Sequence, residues 1–119
     1  MGPSFFLHCI EEFLKSDPNC VFLVTSDDIQ WCKSNIIHEK VIFPSIVAPD
    51  AEPAVTDFIL MTQTNATIYD YGSFAFWGAV LSGGQTMLAD GYSSKLHPIL
   101  AAVKKHPPPG WSLVDVSKL

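Results

Sequence analysis

Two short stretches of this chain carry residue types that could do chemistry. The first is Thr25-Ser26-Asp27-Asp28, directly after the apolar run Val21-Phe22-Leu23-Val24. Paired acids there admit three readings. They could cap a helix and favour its positive end, a contribution of about 0.3–1 kcal/mol. They could accept hydrogen bonds from a guanine or a ribose. They could also form a magnesium ligand pair.

The second stretch is Gly72-Ser73-Phe74, after Thr67–Tyr71. A glycine lets the backbone turn sharply and approach a ligand closely. A serine at a helix start offers a hydroxyl. The first N–H groups of a helix are unpaired and point outward, which makes an anion site. The plainer alternative is that Gly72 and Ser73 only turn the chain and cap the helix. The spacing is neither GxGxxG nor that of a P-loop, so neither nucleotide fingerprint applies.

Other reactive side chains form no set. His8, His38, His97 and His106 have no carboxylate at catalytic spacing, and no Ser/His/Asp or Cys/His group can be named. The catalytic residue is therefore unassigned. Cys9, Cys20 and Cys32 make no CxxC pair and an odd total, so they read as ordinary thiols rather than a zinc cluster or a disulfide framework. Asn65-Ala66-Thr67 fits the N-glycosylation pattern, although it falls at the start of an expected strand. Trp31, Phe74, Phe76 and Trp77 read as core residues, with Trp77 neighbouring Phe74 on a helix.

The elements that must position the two loops follow from periodicity. Ser4–Lys15 reads as an amphipathic helix, with Phe5, Cys9 and Phe13 on one stripe and Phe6, Ile10 and Leu14 beside it. Asp17-Pro18-Asn19 ends it. Val21–Val24 is a continuous apolar run, the mark of a strand buried on both faces. A helix is expected from about Asp28 to Asn35, a strand from Lys40 to Phe43, and a loop with three prolines from Pro44 to Pro53. Ala54–Gln63 then reads as helix, Thr67–Tyr71 as strand, Phe74–Leu81 as helix and Thr86–Ala89 as strand, with Gly83-Gly84 closing the fourth helix. Beyond Asp90 the pattern blurs. Leu96–Lys105 suits a short helix, stopped by Pro107-Pro108-Pro109. Strands about twenty residues apart with helices between them indicate βαβ units and a parallel, Rossmann-like sheet flanked by helices. In such sheets ligands bind at the carboxyl ends of the strands, where both loops fall.

Composition narrows the function classes. The chain has 119 residues, 48% of them apolar and 16% charged, enough for one domain with a real core. The net charge is −5, which speaks against a nucleic-acid partner. All seven cationic residues are lysine. Arginine, the usual bidentate clamp for phosphate, is absent. No run of eighteen apolar residues could span a membrane. The first residues lack the basic start of a signal peptide, and Glu11-Glu12 closes their apolar stretch.

With the loops and elements in place, the sequence resembles a known family. Phe22-Leu23-Val24-Thr25-Ser26-Asp27-Asp28 followed by Trp31-Cys32-Lys33 looks like the central motif of the galactoside 2-α-L-fucosyltransferases, glycosyltransferase family 11. Asp57-Phe58-Ile59-Leu60-Met61-Thr62-Gln63, then Asn65-Ala66-Thr67-Ile68, then Gly72-Ser73-Phe74 with Trp77 and Leu81-Ser82-Gly83-Gly84, resembles their C-terminal motif. A weaker echo lies at Pro109-Gly110-Trp111. The likeness runs from about Ser4 to Asp90.

The resemblance implies the Rossmann-like C-terminal lobe of a two-lobed, GT-B-like glycosyltransferase. Residues 1–119 would be one GDP-fucose-binding domain, a fragment, with 90–119 a poorly defined extension. The whole enzyme would move fucose from GDP-fucose, without metal or other cofactor, to the 2-hydroxyl of a galactose-terminated glycan, with inversion. Such enzymes are Golgi membrane glycoproteins facing the lumen. By position, Asp27 and Asp28 would contact the guanosine of the donor, Gly72, Ser73 and Phe74 would lie at its diphosphate, and Ser26 would also belong to the donor site.

Two departures stand out. The family's donor-phosphate arginines lie in a His-x-Arg-Arg motif upstream, in an N-terminal lobe missing here along with the membrane anchor. Where animal members carry Asn-His-Thr, this chain has Asn65-Ala66-Thr67. A GDP-sugar needs cationic stabilisation as GDP leaves, so the chain alone is expected to be catalytically silent. The alternatives are a non-enzymatic nucleotide-binding or structural α/β domain that has lost its catalytic half, and an unrelated phosphate-binding α/β protein with magnesium at Asp27 and Asp28.

Overall fold

A computed structural model describes residues 2–44, 52–93, 95 and 97–119. They form two compact units, 2–57 and 58–119.

In the first unit, helix α1 (Ser4–Ser16) buries Phe5, Cys9 and Ile10, the stripe its periodicity marks. Fully burying a side chain of this kind contributes about 1.5–3 kcal/mol. The Asp17 N–H closes the helix on the Phe13 carbonyl at 2.9 Å. Strand β1 (Phe22–Leu23) is followed by α2 (Ile29–Asn35) and β2 (Val41–Ile42). The two strands pair in parallel, Phe22 opposite Val41 and Leu23 opposite Ile42.

The expectation of a strand buried on both faces fails at β1. Leu23 and its partner Ile42 are exposed, as is Val21. A two-stranded ribbon has little with which to cover a second face. Phe22 is half-buried, with its ring 6.4 Å from that of Phe13 on α1. Most of the proline-bearing loop, residues 45–51, lies outside the described residues.

Helix α3 (Pro53–Thr62) starts one residue earlier than its periodicity suggests, with proline in the first turn, where a missing N–H costs nothing. The second unit continues with β3 (Ala66–Tyr69), α4 (Ser73–Ser82), β4 (Gln85–Asp90), α5 (Pro98–Lys105), β5 (Trp111–Asp115) and a 3-10 turn at Val116–Lys118. Its sheet has the order β3-β4-β5, all parallel. Thr67 stands opposite Thr86, and Asp90 opposite Asp115.

Sequential order with right-handed crossovers puts α4 and α5 on one face of this sheet. The core agrees: Ala79 of α4 and Leu100 and Val103 of α5 pack with Tyr69 and Leu88 from the strands. The molecule is thus α/β with parallel sheets flanked by helices. Among the described residues the strands form two sheets, not the single one expected.

The strand β5 is new relative to the periodicity, which blurs past Asp90. Trp111-Ser112-Leu113-Val114-Asp115 is short, and a triple proline precedes it. It is fixed by pairing with β4 and by Trp111, whose ring meets Tyr69 at 6.1 Å and Phe76 at 5.7 Å.

Two glycines shape the ends of α4. Gly83 closes it in the left-handed region at φ 74°, its N–H on the Ala79 carbonyl at 3.2 Å. Gly84 lies so close to the Asn65 carbonyl that any Cβ would overlap it.

Candidate functional site

The first loop is organised around Asp28. Its carboxylate accepts the Trp31 N–H at 3.2 Å and caps α2, so the capping reading of this aspartate is the one its geometry shows. Ser26 Oγ accepts the Asp28 N–H at 2.9 Å, a local turn that holds the cap in place. Asp27 is exposed, and among the described residues its side chain has no hydrogen-bond partner. Of the pair, Asp27 is therefore the freer to meet a ligand. Among the described residues, no three His, Cys, Asp or Glu side chains gather as a metal site would require.

The second loop differs from its simplest reading. Gly72, not Ser73, is the capping residue of α4, with φ 102° and ψ 158°. Only glycine occupies this region readily. Among the described residues no side chain caps the helix. The first intrahelical bond joins the Phe76 N–H to the Gly72 carbonyl at 3.3 Å. The N–H groups of Ser73, Phe74 and Ala75 thus stay open at the positive end of the helix, at the carboxyl end of β3.

Phe74 and Trp77, expected in the core, are 46% and 53% exposed. Helix α4 is apolar all round: Ala79 packs in the sheet core, Gly78 lies against Met61 of α3, and Phe74, Trp77, Val80 and Leu81 stay exposed. Phe74 keeps one aromatic neighbour, Phe58, at 5.4 Å.

Beside Gly72 lies a narrow cleft lined by Tyr69, Tyr71, Tyr92, His97 and neighbouring apolar side chains. Burial pushes the Tyr69 phenol well above its usual range, and it raises Tyr92 too, with Asp70 and Asp90 adding to that. Both phenols stay protonated near neutral pH. Lys104 of α5 is held by Asp90 at the end of β4, at 3.0 Å. No local motif announces the cleft; its lining comes from β3, β4, the turns that follow them and the first turn of α5.

The remaining candidates fall elsewhere. His38 Nε2 meets Glu11 Oε1 at 2.8 Å, a pairing hidden from sequence by a separation of 27 positions. The Lys40 N–H donates to His38 Nδ1 at 3.0 Å, so that ring links α1 to the start of β2. Cys9 is fully buried and its thiol is pushed up to about 12, mainly by burial, so it is inert. All three cysteines are free. Asn65 is exposed just ahead of β3, whereas Thr67 is buried with its hydroxyl 3.4 Å from that of Ser82. Among the described residues, no helix is long and apolar enough to cross a membrane.

The first-loop residues Ser26, Asp27 and Asp28 lie in one compact unit, and Gly72, Ser73 and Phe74 in the other.

Comparison with known proteins gives the chain its relatives. Residues 3–111 match the model of glycosyl transferase family 11. A galactoside 2-alpha-L-fucosyltransferase SEC1 from Bos taurus is 42% identical over 69 residues, 56% of this chain and 18% of that protein. A galactoside alpha-(1,2)-fucosyltransferase 2 from Pongo pygmaeus is 38% identical over 86 residues, 71% of this chain and 24% of that protein. A galactoside alpha-(1,2)-fucosyltransferase 1 from Ateles belzebuth is 45% identical over 71 residues, 56% of this chain and 18% of that protein. The chain thus spans about a quarter or less of the length of these relatives. No solved structure matches it. A family match over nearly the whole chain, and two motifs that form the loops at strand ends described above, place this protein in glycosyltransferase family 11.

Proposed function

We propose that this chain is a GDP-fucose-binding lobe of a galactoside α-1,2-fucosyltransferase of two-lobed, GT-B-like architecture. The observation that carries the reading is the open start of α4. Three unpaired N–H groups sit at the positive end of a ten-residue helix, at the carboxyl end of a parallel strand. That is where an anionic diphosphate gains most from the backbone. In this reading Gly72, Ser73 and Phe74 receive the diphosphate. Asp27 meets the guanosine, with Asp28 using the carboxylate oxygen left free by its cap and Ser26 holding the turn. The acceptor is a galactose-terminated glycan, the setting is the Golgi lumen, and no metal takes part.

The lobe binds but does not transfer. Departure of GDP places negative charge on the leaving diphosphate, and removing a single preorganised donor from such a site costs roughly 10²–10³ in rate. The chain has no arginine, and Lys104 is engaged by Asp90. A non-enzymatic nucleotide-binding or structural α/β domain is the alternative reading.

Isothermal titration with GDP, ADP and guanosine, with and without chelator, tests the binding. Metal-independent preference for GDP over ADP is the expected result. Dependence on magnesium would instead favour the metal reading of Asp27 and Asp28. Radiolabelled GDP-fucose with a galactoside acceptor tests the catalysis, and transfer by the purified chain would overturn its silence.

A further inference from the structure

We infer that the rings of Tyr71 and Tyr92, with the Asp70 carboxylate, hold the sugar of the nucleotide-sugar donor, its fucosyl ring. This rests on the donor-lobe reading above and assigns three residues that neither motif contains.

Aromatic geometry is the first observation. Tyr71 directly precedes Gly72 and is 58% exposed. Its ring centre lies 5.7 Å from that of the half-buried Tyr92, with the two planes inclined by only 34°. Together the rings make a slanted apolar surface that faces water, and covering such a surface is favourable. The cleft behind them has room for a single water, and Tyr69 beneath is buried. A ligand therefore lies across the exposed rings rather than inside the cleft.

Charge is the second. Asp70 follows β3 and Asp90 ends β4, its neighbour in the parallel sheet. Asp90 is occupied: one oxygen accepts the Gly91 N–H at 2.8 Å and the other meets the Lys104 ammonium at 3.0 Å. Asp70 gives one oxygen to the Tyr71 N–H at 2.7 Å and, among the described residues, keeps the other free. Such a carboxylate repels an anion but accepts hydrogen bonds from hydroxyl groups. Donors stand beside it. Tyr71 and Tyr92 each bring a phenol, and burial, followed by Asp70 and Asp90, raises that of Tyr92. His97 lines the same cleft, and its Nδ1 accepts the Ile99 N–H at 3.2 Å, so the neutral ring carries its proton on Nε2. An apolar surface edged by hydroxyl donors and one free carboxylate oxygen suits a neutral ring with a C–H face and several hydroxyls, which is a pyranose.

Position selects the sugar. Gly72 shares the cleft with both tyrosines and begins α4, whose open N–H groups are the proposed diphosphate contact. In a nucleotide sugar the pyranose hangs from the second phosphate by one bridging oxygen. A diphosphate at the start of α4 therefore sets its sugar down beside residue 71. The acceptor sugar has no such tether. Fucose also carries a methyl group where galactose carries a hydroxymethyl, which adds apolar surface for the rings.

Isothermal titration of the whole chain with GDP-fucose and with GDP reads the sugar contact as the ratio of the two affinities. The proteins are the parent, Tyr71→Phe, Tyr71→Ala and Asp70→Asn, each checked for folding by circular dichroism. The parent is expected to favour GDP-fucose roughly tenfold. Phenylalanine keeps the ring and most of that excess, whereas alanine removes it. Asparagine at 70 keeps an acceptor for the Tyr71 N–H and should lower the ratio roughly fivefold, through loss of a charged acceptor. If GDP binds but the parent shows no preference for GDP-fucose, or Tyr71→Ala keeps the full preference, the sugar assignment falls and the donor-lobe reading stands. If GDP does not bind, the donor-lobe reading falls, and saturation-transfer NMR with methyl fucoside and methyl galactoside decides the sugar contact by itself. Transfer to the fucoside that is lost in Tyr71→Ala supports it. Stronger transfer to the galactoside, equal transfer in parent and variant, or none at all overturns it.

Discussion

Gly72→Ala isolates the backbone conformation on which the proposed diphosphate contact depends. At φ 102° and ψ 158° this residue lies where a side chain costs roughly 1–3 kcal/mol. A Cβ there would meet nothing within 4 Å, so neither a clash nor new packing changes that figure. Alanine also restricts the unfolded chain, which returns about 0.4–1 kcal/mol. The expected net loss is about 1–2 kcal/mol, or a fall in Tm of roughly 5 °C for a chain of this size. The cost has a functional counterpart. If the backbone escapes the strain by leaving this region, the Ser73 and Phe74 N–H groups turn with it, and pyrophosphate affinity falls while guanosine affinity holds. Urea unfolding followed by far-UV circular dichroism, with titration of both ligands, reads the two effects together. A variant as stable as the parent, within 0.5 kcal/mol, and equally able to bind pyrophosphate would refute the argument at its geometric root.

Asp28→Ala should cost about 1 kcal/mol through the lost α2 cap, whereas Asp28→Asn keeps the cap and should weaken GDP alone; denaturation and titration of the pair separate the roles. Ser73→Ala should weaken GDP more than guanosine in the same titration, because its proposed contact is to phosphate. Gly84→Ala should destabilise more than Gly72→Ala, since the Asn65 carbonyl must move to admit the methyl; a thermal melt compares them. Burial raises the Asp57 carboxyl, so its folded pKa lies above its unfolded one. The stability it contributes is present at low pH and is lost as pH rises through the folded value. Asp57→Asn should therefore raise Tm at pH 7 and leave it little changed near pH 3.

The alternation of elements was legible because helices and strands leave different periods in the apolar residues. Phe5, Cys9 and Ile10 lie on the buried face that a 3.6-residue period marks, and Gly83 ends α4 as a left-handed glycine should. What the periods do not carry is partnership. Val21–Val24 has the composition of a doubly buried strand, but among the described residues its only strand partner is a two-residue one, and Leu23 stays in water. Strand β5 has too few residues to show a period and is defined by the ladder it joins. Phe74 and Trp77 are apolar like core residues, yet α4 is apolar on every side and the sheet covers only one. Hydrophobicity says which residues prefer burial, and the number of covering surfaces decides which of them obtain it.

The two loops show why function is harder to read than fold. A carboxylate that caps a helix and a carboxylate that holds a nucleoside do the same thing: each accepts hydrogen bonds from N–H or O–H donors. Residue type therefore cannot separate them. For Asp28 the 3.2 Å bond to the Trp31 N–H supplies the answer at one of its oxygens. At the second loop the useful signal is a missing partner. A serine beside a glycine suggests a capped helix, but α4 has no side-chain cap and keeps its first N–H groups open. Tyr69 repeats the pattern with a buried hydroxyl that nothing in the described residues satisfies. The same unit buries a second unpartnered hydroxyl, that of Thr86 in β4, so a missing partner alone does not distinguish a site from a core position.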